Sequence, residues 1–368
     1  MVKNICLFVI SSSITVMLSE IFVRAVLPQN LIYYNNDIWR PDSLYGWSHY
    51  KNSFTKINGA GAGIVQFRSD NNGFRINIDT TKNIEPYDYK ILALGSSYLE
   101  ALQVENKNTF GEILISKLSS DYNIKFYNTG VGAWTPNQFL LQTKEFLKIK
   151  KVDLGIVFLS MAGDVKINRR QYKFEPRKVA QMRKFNLTFK NIKYNILAPL
   201  NDLLEVRSHL YILLKNRLSN LRAKLNLTAA YFPSHFKINQ KDSKNWEITT
   251  QICKDIQEEF NKYMTPVIFI LIPTNFQVNE DVYDNYVNNF RLDKSEINLN
   301  QPQNILMNLF SKNELSLHNP LKFMRESFNN DSLLLYGELD THLNGQGHKV
   351  MSEYLLSIIS DKINIKYR

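Results

Sequence analysis

The sequence has little of several residues that mark common protein classes. Its 368 residues include only Cys6 and Cys253, which match no zinc-ligand spacing, so we expect neither a disulfide nor a metal site. None of the 14 glycines belongs to a phosphate-binding loop, and internal repeats and low-complexity tracts are absent. With 44% hydrophobic and 12% aromatic residues, the chain is expected to be globular, with at least one large core.

Acidic residues are scarce in one segment. The formal net charge is +11, and fifteen Lys or Arg residues between Lys166 and Lys224 stand against three acidic ones. No nucleic-acid-binding module is recognisable around them, so no nucleic-acid partner is expected. The segment indicates either an ordinary solvated helix surface or a basic surface for anionic lipid or an anionic polymer.

A long apolar run occurs at the N-terminus. Residues 5–19 carry no charge, and apolar character continues to Leu27, about 23 residues that are enough to cross a hydrocarbon layer of roughly 30 Å. Lys3 precedes the run, which predicts that the bulk of the chain is extracytoplasmic, in the periplasm or at the cell surface. No small-residue cleavage site follows, which favours an uncleaved signal anchor over a cleaved signal peptide or a buried soluble helix.

Apolar strands alternate with helical segments after residue 85. The pattern predicts strands at 90–95, 124–128, 154–160, 266–273 and 315–318, and helices at 109–119, 137–150, 246–262 and 347–363. Such alternation predicts an α/β fold whose parallel sheet is covered on both faces. The predicted organisation is an anchor at 1–28, a β-rich lead-in at 29–85, and an α/β domain at 86–368 with a basic helical insertion at 165–245.

Chemically useful side chains stand where the predicted strands end. Ser96 and Ser97 follow the first strand, and Asp340 and His342 are two residues apart near the C-terminus. Functional residues of open α/β sheets lie beyond the carboxyl ends of the strands. A hydroxyl, an imidazole and a carboxylate are the groups that acyl transfer needs. Each of them alone is more often a turn or capping residue, so only their joint placement favours a serine hydrolase.

Four segments resemble the sequence blocks of the SGNH/GDSL hydrolases, over roughly residues 85–363. The segments are Ile91-Leu-Ala-Leu-Gly-Ser-Ser-Tyr-Leu-Glu-Ala-Leu-Gln-Val104, Asn128-Thr-Gly-Val-Gly-Ala-Trp-Thr-Pro-Asn-Gln138, Val157-Phe-Leu-Ser-Met-Ala-Gly-Asp164 and Asp340-Thr-His-Leu-Asn-Gly-Gln-Gly-His348. The resemblance implies a flavodoxin-like three-layer sandwich with Ser97 as nucleophile and Asp340 and His342 as its acid and base. It also implies an oxyanion hole that includes the N–H groups of Ser97 and of either Gly132 or Ala133.

The sequence departs from the family pattern in two places. Ser96 replaces the aspartate of Gly-Asp-Ser, and Gly163 replaces the asparagine of the third block. Loss of one side-chain donor from an oxyanion hole costs about 2.7–4 kcal/mol in a comparable enzyme. Ser160 or Asn137 supplies a substitute donor, or the enzyme is slow or inactive.

The functional expectation is an esterase or O-acyl(acetyl)transferase that needs no cofactor. The spacing of Asp340 and His342 is similar to the family branch that includes polysaccharide O-acetyltransferases, which implies an acylated envelope or exported polysaccharide as substrate. Two alternatives stay open: an inactive relative that binds a glycan or an assembly partner, and a membrane-surface protein that acts through residues 166–224. His348 is predicted to be structural, whereas His49, His209, His235 and His318 have no partner recognisable in the sequence.

Overall fold

The structure is a computed structural model of the chain. It describes residues 2–29, 31, 38–58, 63–76, 85–118, 122–164, 191–225, 232–238, 243–331, 333–337 and 341–366. The chain divides into two compact units, one of residues 1–36 and 180–231, and the other of residues 37–179 and 232–368.

The smaller unit is helical. Helix α1 spans Val2–Val26, and Lys3–Val26 is long and apolar enough to cross a membrane, a property that signal sequences share. Glu20 and Arg24 form an ion pair on this helix, at 3.0 Å. A π-helical turn at Lys193–Leu197 leads into α5 (Ala198–Glu205), and α6 spans His209–Lys224. The basic residues between 165 and 190 lie outside the described residues.

The larger unit is built on a parallel five-stranded sheet. Its strands are β5 (Tyr89–Leu94), β6 (Ile124–Asn128), β7 (Leu154–Ser160), β8 (Val267–Ile272) and β9 (Leu317–His318), in the order β6-β5-β7-β8-β9. The register places Ala93 beside both Asn128 and Ile156. All five predicted strands are confirmed, and the order is that of flavodoxin-like sheets.

Nine helices accompany the sheet in the described part of the larger unit. They are α2 (Ser97–Glu100), α3 (Phe110–Leu118), α4 (Pro136–Leu147), α7 (Ser243–Asn261), α8 (Asn275–Val278), α9 (Glu280–Phe290), α10 (Gln301–Lys312), α11 (Leu321–Asp331) and α12 (Gly345–Lys366). The four predicted helices correspond to α3, α4, α7 and α12.

Two apolar cores lie on opposite faces of the sheet. Leu92, Val157 and Phe269 pack with side chains of α4, α7 and α10. Ile91 and Ile156, one position away on the same strands, pack with side chains of α3, α11 and α12. Successive residues of a strand point to opposite faces, so strands that are apolar throughout require cover on both sides. The fold is therefore the α/β three-layer sandwich that the alternation of strands and helices predicts.

Two antiparallel hairpins precede the sheet in the same unit. Strand β1 (Trp39–Asp42) pairs with β2 (Gly46–His49), and β3 (Phe54–Asn58) pairs with β4 (Ile64–Arg68). A small core beneath them contains Ile38, Ile57, Val65 and Phe67. The first hairpin supplies Trp39 and His49, whose side chains contact Glu100 in the segment after β5.

Candidate active site

Ser97 stands at the start of the short helix α2, on the turn that follows β5. Gly95 and Ser96 make the turn, and Ala101 ends the helix in a left-handed conformation with φ of 55°. Such a turn lifts the Ser97 side chain clear of the carboxyl end of the sheet. Ser97 is half-buried, which leaves it open to solvent on one side.

The turn is fixed by the loop after β6. Asn128 donates a hydrogen bond from Nδ2 to the Leu99 carbonyl and accepts one from the Gly130 N–H, both at 3.0 Å. A side chain at position 130 would place its Cβ 2.4 Å from the Glu100 backbone nitrogen. Glycine is thus required at 130 for the loop to approach α2 this closely.

The structure brings His342 to Ser97. The Nε2 atom of His342 lies 2.7 Å from Ser97 Oγ, although the two residues are 245 positions apart. Tyr98 positions the loop of His342, because its hydroxyl donates to the Thr341 carbonyl at 2.8 Å and its ring lies 4.8 Å from the imidazole. The hydroxyl and the imidazole therefore have the geometry that proton transfer between them requires.

The loop of His342 is also held at the base of α12. Asn344 accepts hydrogen bonds from the Gln346 and Gly347 N–H groups and donates to the Leu334 and Tyr336 carbonyls. Asp340, the predicted partner of the imidazole, lies outside the described residues, so its role stays a prediction.

The second predicted block forms a tight turn at residues 131–134. The Trp134 N–H donates to the Val131 carbonyl at 3.2 Å, and Ala133 has φ of 60°. A positive φ at the third position of a turn ordinarily calls for glycine. Ala133 therefore has the backbone conformation that favours glycine, whereas Gly132 does not have a positive φ.

Trp47 of β2 orients this turn. Its indole Nε1 donates to the Gly132 carbonyl at 2.9 Å, and Trp134 Nε1 donates back to the Trp47 carbonyl at 2.9 Å. In a trans peptide the C=O and the following N–H point in opposite directions. The Ala133 N–H therefore points away from the Trp47 indole.

Four residues are predicted for the oxyanion hole: Ser97, Gly132 and Ala133 through their N–H groups, and Gly163 as the position that replaces the family's asparagine. None of the four donates a hydrogen bond to another group in the described part of the protein. Gly163 follows β7 in a turn, and Asn137 is buried in the first turn of α4. The Ser160 hydroxyl accepts a hydrogen bond from the Ala162 N–H at 3.1 Å.

Asp164 connects the third block to the residue before the nucleophile. Its Oδ2 accepts hydrogen bonds from the Ser160 N–H at 2.7 Å and from the Ser96 hydroxyl at 3.1 Å. Burial raises the pKa of Asp164 to about 7, although both hydrogen bonds oppose the shift. Ser96, which replaces the family's aspartate, is thus a donor to a carboxylate on the neighbouring turn.

A second imidazole lies at the far end of α2, next to a partner that the sequence analysis did not identify. His49 Nε2 lies 2.7 Å from Glu100 Oε1, which also accepts a hydrogen bond from Trp39 Nε1 at 2.8 Å. His49 Nδ1 lies 3.0 Å from the Gly73 carbonyl, an acceptor, so this nitrogen carries a proton.

Arg75 is the third buried residue of this cluster, and it contacts backbone carbonyls at the end of α2 and just after it. Its guanidinium donates to the Glu100 and Val104 carbonyls, each at 2.6 Å, and to the Ala101 carbonyl. Burial lowers the pKa of Arg75 to about 10, so the side chain stays charged at neutral pH. A charge buried to this extent is tolerable only because carbonyl oxygens surround it.

The other histidines have structural contacts. His348 is buried and accepts a hydrogen bond from the Phe110 N–H at 3.2 Å, as expected for a structural residue, and burial lowers its pKa to about 3. His235 Nε2 lies 2.8 Å from the Met161 carbonyl. His209 accepts a hydrogen bond from the Gln29 N–H, and His318 lies 3.4 Å from the Ser316 hydroxyl. No metal-binding group of three or more His, Cys, Asp or Glu side chains occurs among the described residues.

Solved structures with similar folds are GDSL lipolytic proteins and esterases. One is a lipolytic protein of the G-D-S-L family from Veillonella parvula, with 10% identity over 74% of this chain and 98% of that one, and a TM-score of 0.39. An acetylxylan esterase from Geobacillus stearothermophilus has 9% identity over 73% of this chain and 93% of its own, at a TM-score of 0.39. A psychrotrophic esterase from Pseudoalteromonas has 10% identity over 75% and 99% of the two chains, at a TM-score of 0.38.

The Veillonella protein is thus from the family that the sequence motifs resemble, and all three neighbours have low sequence identity to this chain. No family model matches the chain, and no curated protein matches it.

Proposed function

We propose that this chain is a membrane-anchored serine esterase or O-acyltransferase of the SGNH type. The observation that carries the proposal is the 2.7 Å separation between Ser97 Oγ and His342 Nε2 at the carboxyl end of the sheet. The partly exposed position of both residues supports it, because a substrate must reach the hydroxyl.

In the proposed reaction, Ser97 Oγ attacks the ester carbonyl carbon while His342 Nε2 takes the hydroxyl proton. The N–H groups of Ser97 and Ala133 stabilise the oxyanion that forms. The ester bond then breaks as His342 returns the proton to the departing alcohol, which leaves an acyl group on Ser97. Water, or the hydroxyl of an acceptor, releases the acyl group by the same steps in reverse. Asp340 is the proposed carboxylate that orients the imidazole.

The proposed substrate is an acetylated or otherwise acylated polysaccharide of the envelope or of an exported polymer. The spacing of Asp340 and His342 supports this class, and so does the proposed extracytoplasmic side of the anchor, which follows from Lys3. Acyl transfer and hydrolysis share the same acyl-enzyme and differ only in the second acceptor.

The test uses the full chain in nanodiscs and a chromogenic acetate ester. Ser97→Ala should abolish hydrolysis and labelling by a fluorophosphonate, whereas Ser357→Ala, at an exposed serine of α12, should change neither. Mass spectrometry of the labelled chain should place the adduct on Ser97.

Equal hydrolysis by Ser97→Ala and the unchanged chain would overturn the assignment. Absence of both hydrolysis and labelling in the unchanged chain would favour the alternative that Gly163 raises, an inactive relative that binds a glycan or an assembly partner. In that case Ser97→Ala should leave the cellular phenotype intact.

A further inference from the structure

One face of α6 is a stripe of exposed leucines. Leu214, Leu218, Leu221 and Leu225 follow one another at spacings of four, three and four residues, and their exposed fractions are 58%, 50%, 51% and 59%. At 3.6 residues per turn these positions lie within about 60° of each other around the helix. Four large apolar side chains on one narrow face are therefore exposed together.

Basic residues border the stripe on both sides. Helical geometry places Lys215 and Arg222 on one flank and Arg217 on the other. Asn216 and Ser219 are exposed on the far side of the helix. A row of exposed apolar residues with cations at its edges is a pattern found in helices that lie in a membrane interface.

The leucine stripe is not the face by which α6 packs within its unit. Ile212 is buried, and it lies nearly opposite the stripe. Contacts to α5 come from the neighbouring side, where the Tyr211 hydroxyl donates to Asn201 at 2.8 Å and Lys215 pairs with Glu205. The α5 contacts therefore lie beside the stripe, and they leave its four leucines exposed.

The start of α6 is bound to α1. Glu20 of α1 accepts hydrogen bonds from the Ser208 hydroxyl at 2.8 Å and from the N–H groups of His209 and Leu210 at 3.0 and 2.9 Å. Arg24 donates to the Arg207 carbonyl at 2.8 Å. Glu20 thus satisfies N–H groups at the first turn of α6, which have no partner inside the helix.

The position of Glu20 along α1 determines how deep in a membrane the contact between α1 and α6 would lie. Glu20 is 17 residues after Lys3, which corresponds to roughly 26 Å of helix. The hydrocarbon layer is about 30 Å thick, so a membrane-spanning α1 would hold Glu20 near the opposite boundary. The start of α6 would then lie at the same boundary.

We propose that α6 lies in the lipid–water interface, with its leucine stripe among the acyl chains and with Arg217 and Arg222 against anionic headgroups. The leucine stripe is thus proposed to contact the same bilayer that α1 spans. The inference rests on retention of α1 as an anchor and not on the esterase reaction, so the two proposals fail separately. It also explains why a carboxylate is present near the end of an apolar helix, since Glu20 positions a second membrane-binding helix.

The test measures the depth of two matched positions in the full chain, reconstituted in vesicles. A fluorophore is attached to Leu218→Cys or to Asn216→Cys, each in a Cys6→Ser background, and Cys253 is kept because it is buried. Vesicles contain brominated phosphatidylcholine with about one third phosphatidylglycerol. We expect at least twofold quenching by the brominated chains at position 218 and little at 216, with the reverse order for aqueous iodide.

The proposal would be overturned if iodide quenched positions 216 and 218 equally and brominated lipid quenched neither of them. Protection of position 218 from iodide without quenching by brominated lipid would also overturn it, because a second copy or another protein would then cover the stripe. The joint variant Arg217→Gln and Arg222→Gln should lose the extra quenching that phosphatidylglycerol produces. If the quenching in that variant is unchanged, the two arginines do not bind anionic headgroups and that part of the proposal is wrong.

Discussion

The two ends of α2 each place an imidazole against an oxygen atom, in different surroundings. At its start, the Ser97 hydroxyl lies 2.7 Å from the imidazole of His342; at its end, the Glu100 carboxylate lies 2.7 Å from the imidazole of His49. The first pair is half-buried. In the second pair each residue is only 2% exposed, and both have further protein contacts.

The difference shows that a short hydrogen bond to histidine does not by itself mark an active site. The His49 pair is enclosed by protein donors and acceptors, so we expect it to hold α2 in place and not to react. The Ser97 pair has an open side, and the Ser97 N–H donates to no other group in the described part of the chain. Reactivity is therefore expected at one end of the helix and stability at the other.

The largest effect is expected when the Ser97 hydroxyl, at the partly solvent-exposed end of α2, is removed. Ser97→Ala should lower kcat for an acetate ester by about 10³-fold or more, since loss of a nucleophile has effects on that scale or larger. The unfolding temperature should change little, because the side chain is not part of a core. A large drop in unfolding temperature would contradict the division of roles.

Removal of the Glu100 carboxylate, at the buried end of α2, should mainly lower the stability of the protein. Glu100→Ala leaves His49 and Trp39 without their acceptor, and breaking a buried pair on one side typically costs about 3–5 kcal/mol. Unfolding followed by tryptophan fluorescence in urea should show the loss. His49→Ala is the matched variant and should be destabilising as well, whereas an effect on activity alone would refute a structural role for this pair.

A third prediction concerns the pH dependence of stability. The pKa of Asp164 is raised to about 7, so the folded state binds this proton more tightly and Asp164 makes stability fall as pH rises between about 4 and 7. The pKa of His348 is lowered to about 3, so the unfolded state binds its proton more tightly and stability rises between about 3 and 6.5. The two effects oppose each other.

Asp164→Asn removes one of these two titrations and keeps a hydrogen-bond acceptor at the site. Its stability should rise from about pH 4.5 to pH 6.5 more steeply than that of the unchanged chain, by up to about 1.4 kcal/mol for each pH unit. Thermal unfolding at the two pH values measures the difference. Parallel pH profiles for the two chains would show that Asp164 does not titrate in this range.

A smaller effect is expected where the hairpin of β1 and β2 meets the site. Trp47→Phe removes the donor to the Gly132 carbonyl, and a neutral hydrogen bond is worth about 0.5–1.5 kcal/mol. If the Ala133 N–H helps to stabilise the oxyanion, kcat should fall by up to about tenfold with little change in KM. A change confined to KM would mean that Trp47 affects substrate binding and not the reacting centre.

The smallest effect should come from Ala133. Its φ of 60° is a conformation that an L-residue with a Cβ adopts at a cost of about 1–2 kcal/mol. Ala133→Gly should keep the activity and change stability by less than about 1 kcal/mol, since relief of strain is partly offset by the greater freedom of the unfolded chain. Ala133→Pro serves as the contrasting variant, because proline forbids positive φ and removes the N–H.

The strands and the pairing of Ser97 with His342 were predictable because their signals are local or come from a known motif. Strands β5, β7 and β8 are continuous apolar runs, and such runs have few alternatives to a sheet covered on both faces. The serine and the histidine were recognisable through the segments around them. Nothing in composition or periodicity alone would have joined two residues so far apart in the chain.

The cluster of His49, Arg75 and Glu100 was not predictable for the opposite reason. His49 and Arg75 lie in a segment of short strands and turns without strong periodicity, and their contacts to α2 are tertiary. One signal was present: Glu100 interrupts an otherwise apolar run just after the serine. A carboxylate in such a run is seldom fully buried without a partner, which points to a cation or donor elsewhere in the chain.

The long stretch of chain between Ser97 and His342 has a consequence for how the protein can be assayed. No fragment that ends before the final loop contains both groups, and neither group has a neighbour in sequence that could replace the other. Esterase turnover would therefore begin only after β5, the sheet and the base of α12 have come together. The first product formed during refolding would report completion of the larger unit, and not merely its collapse.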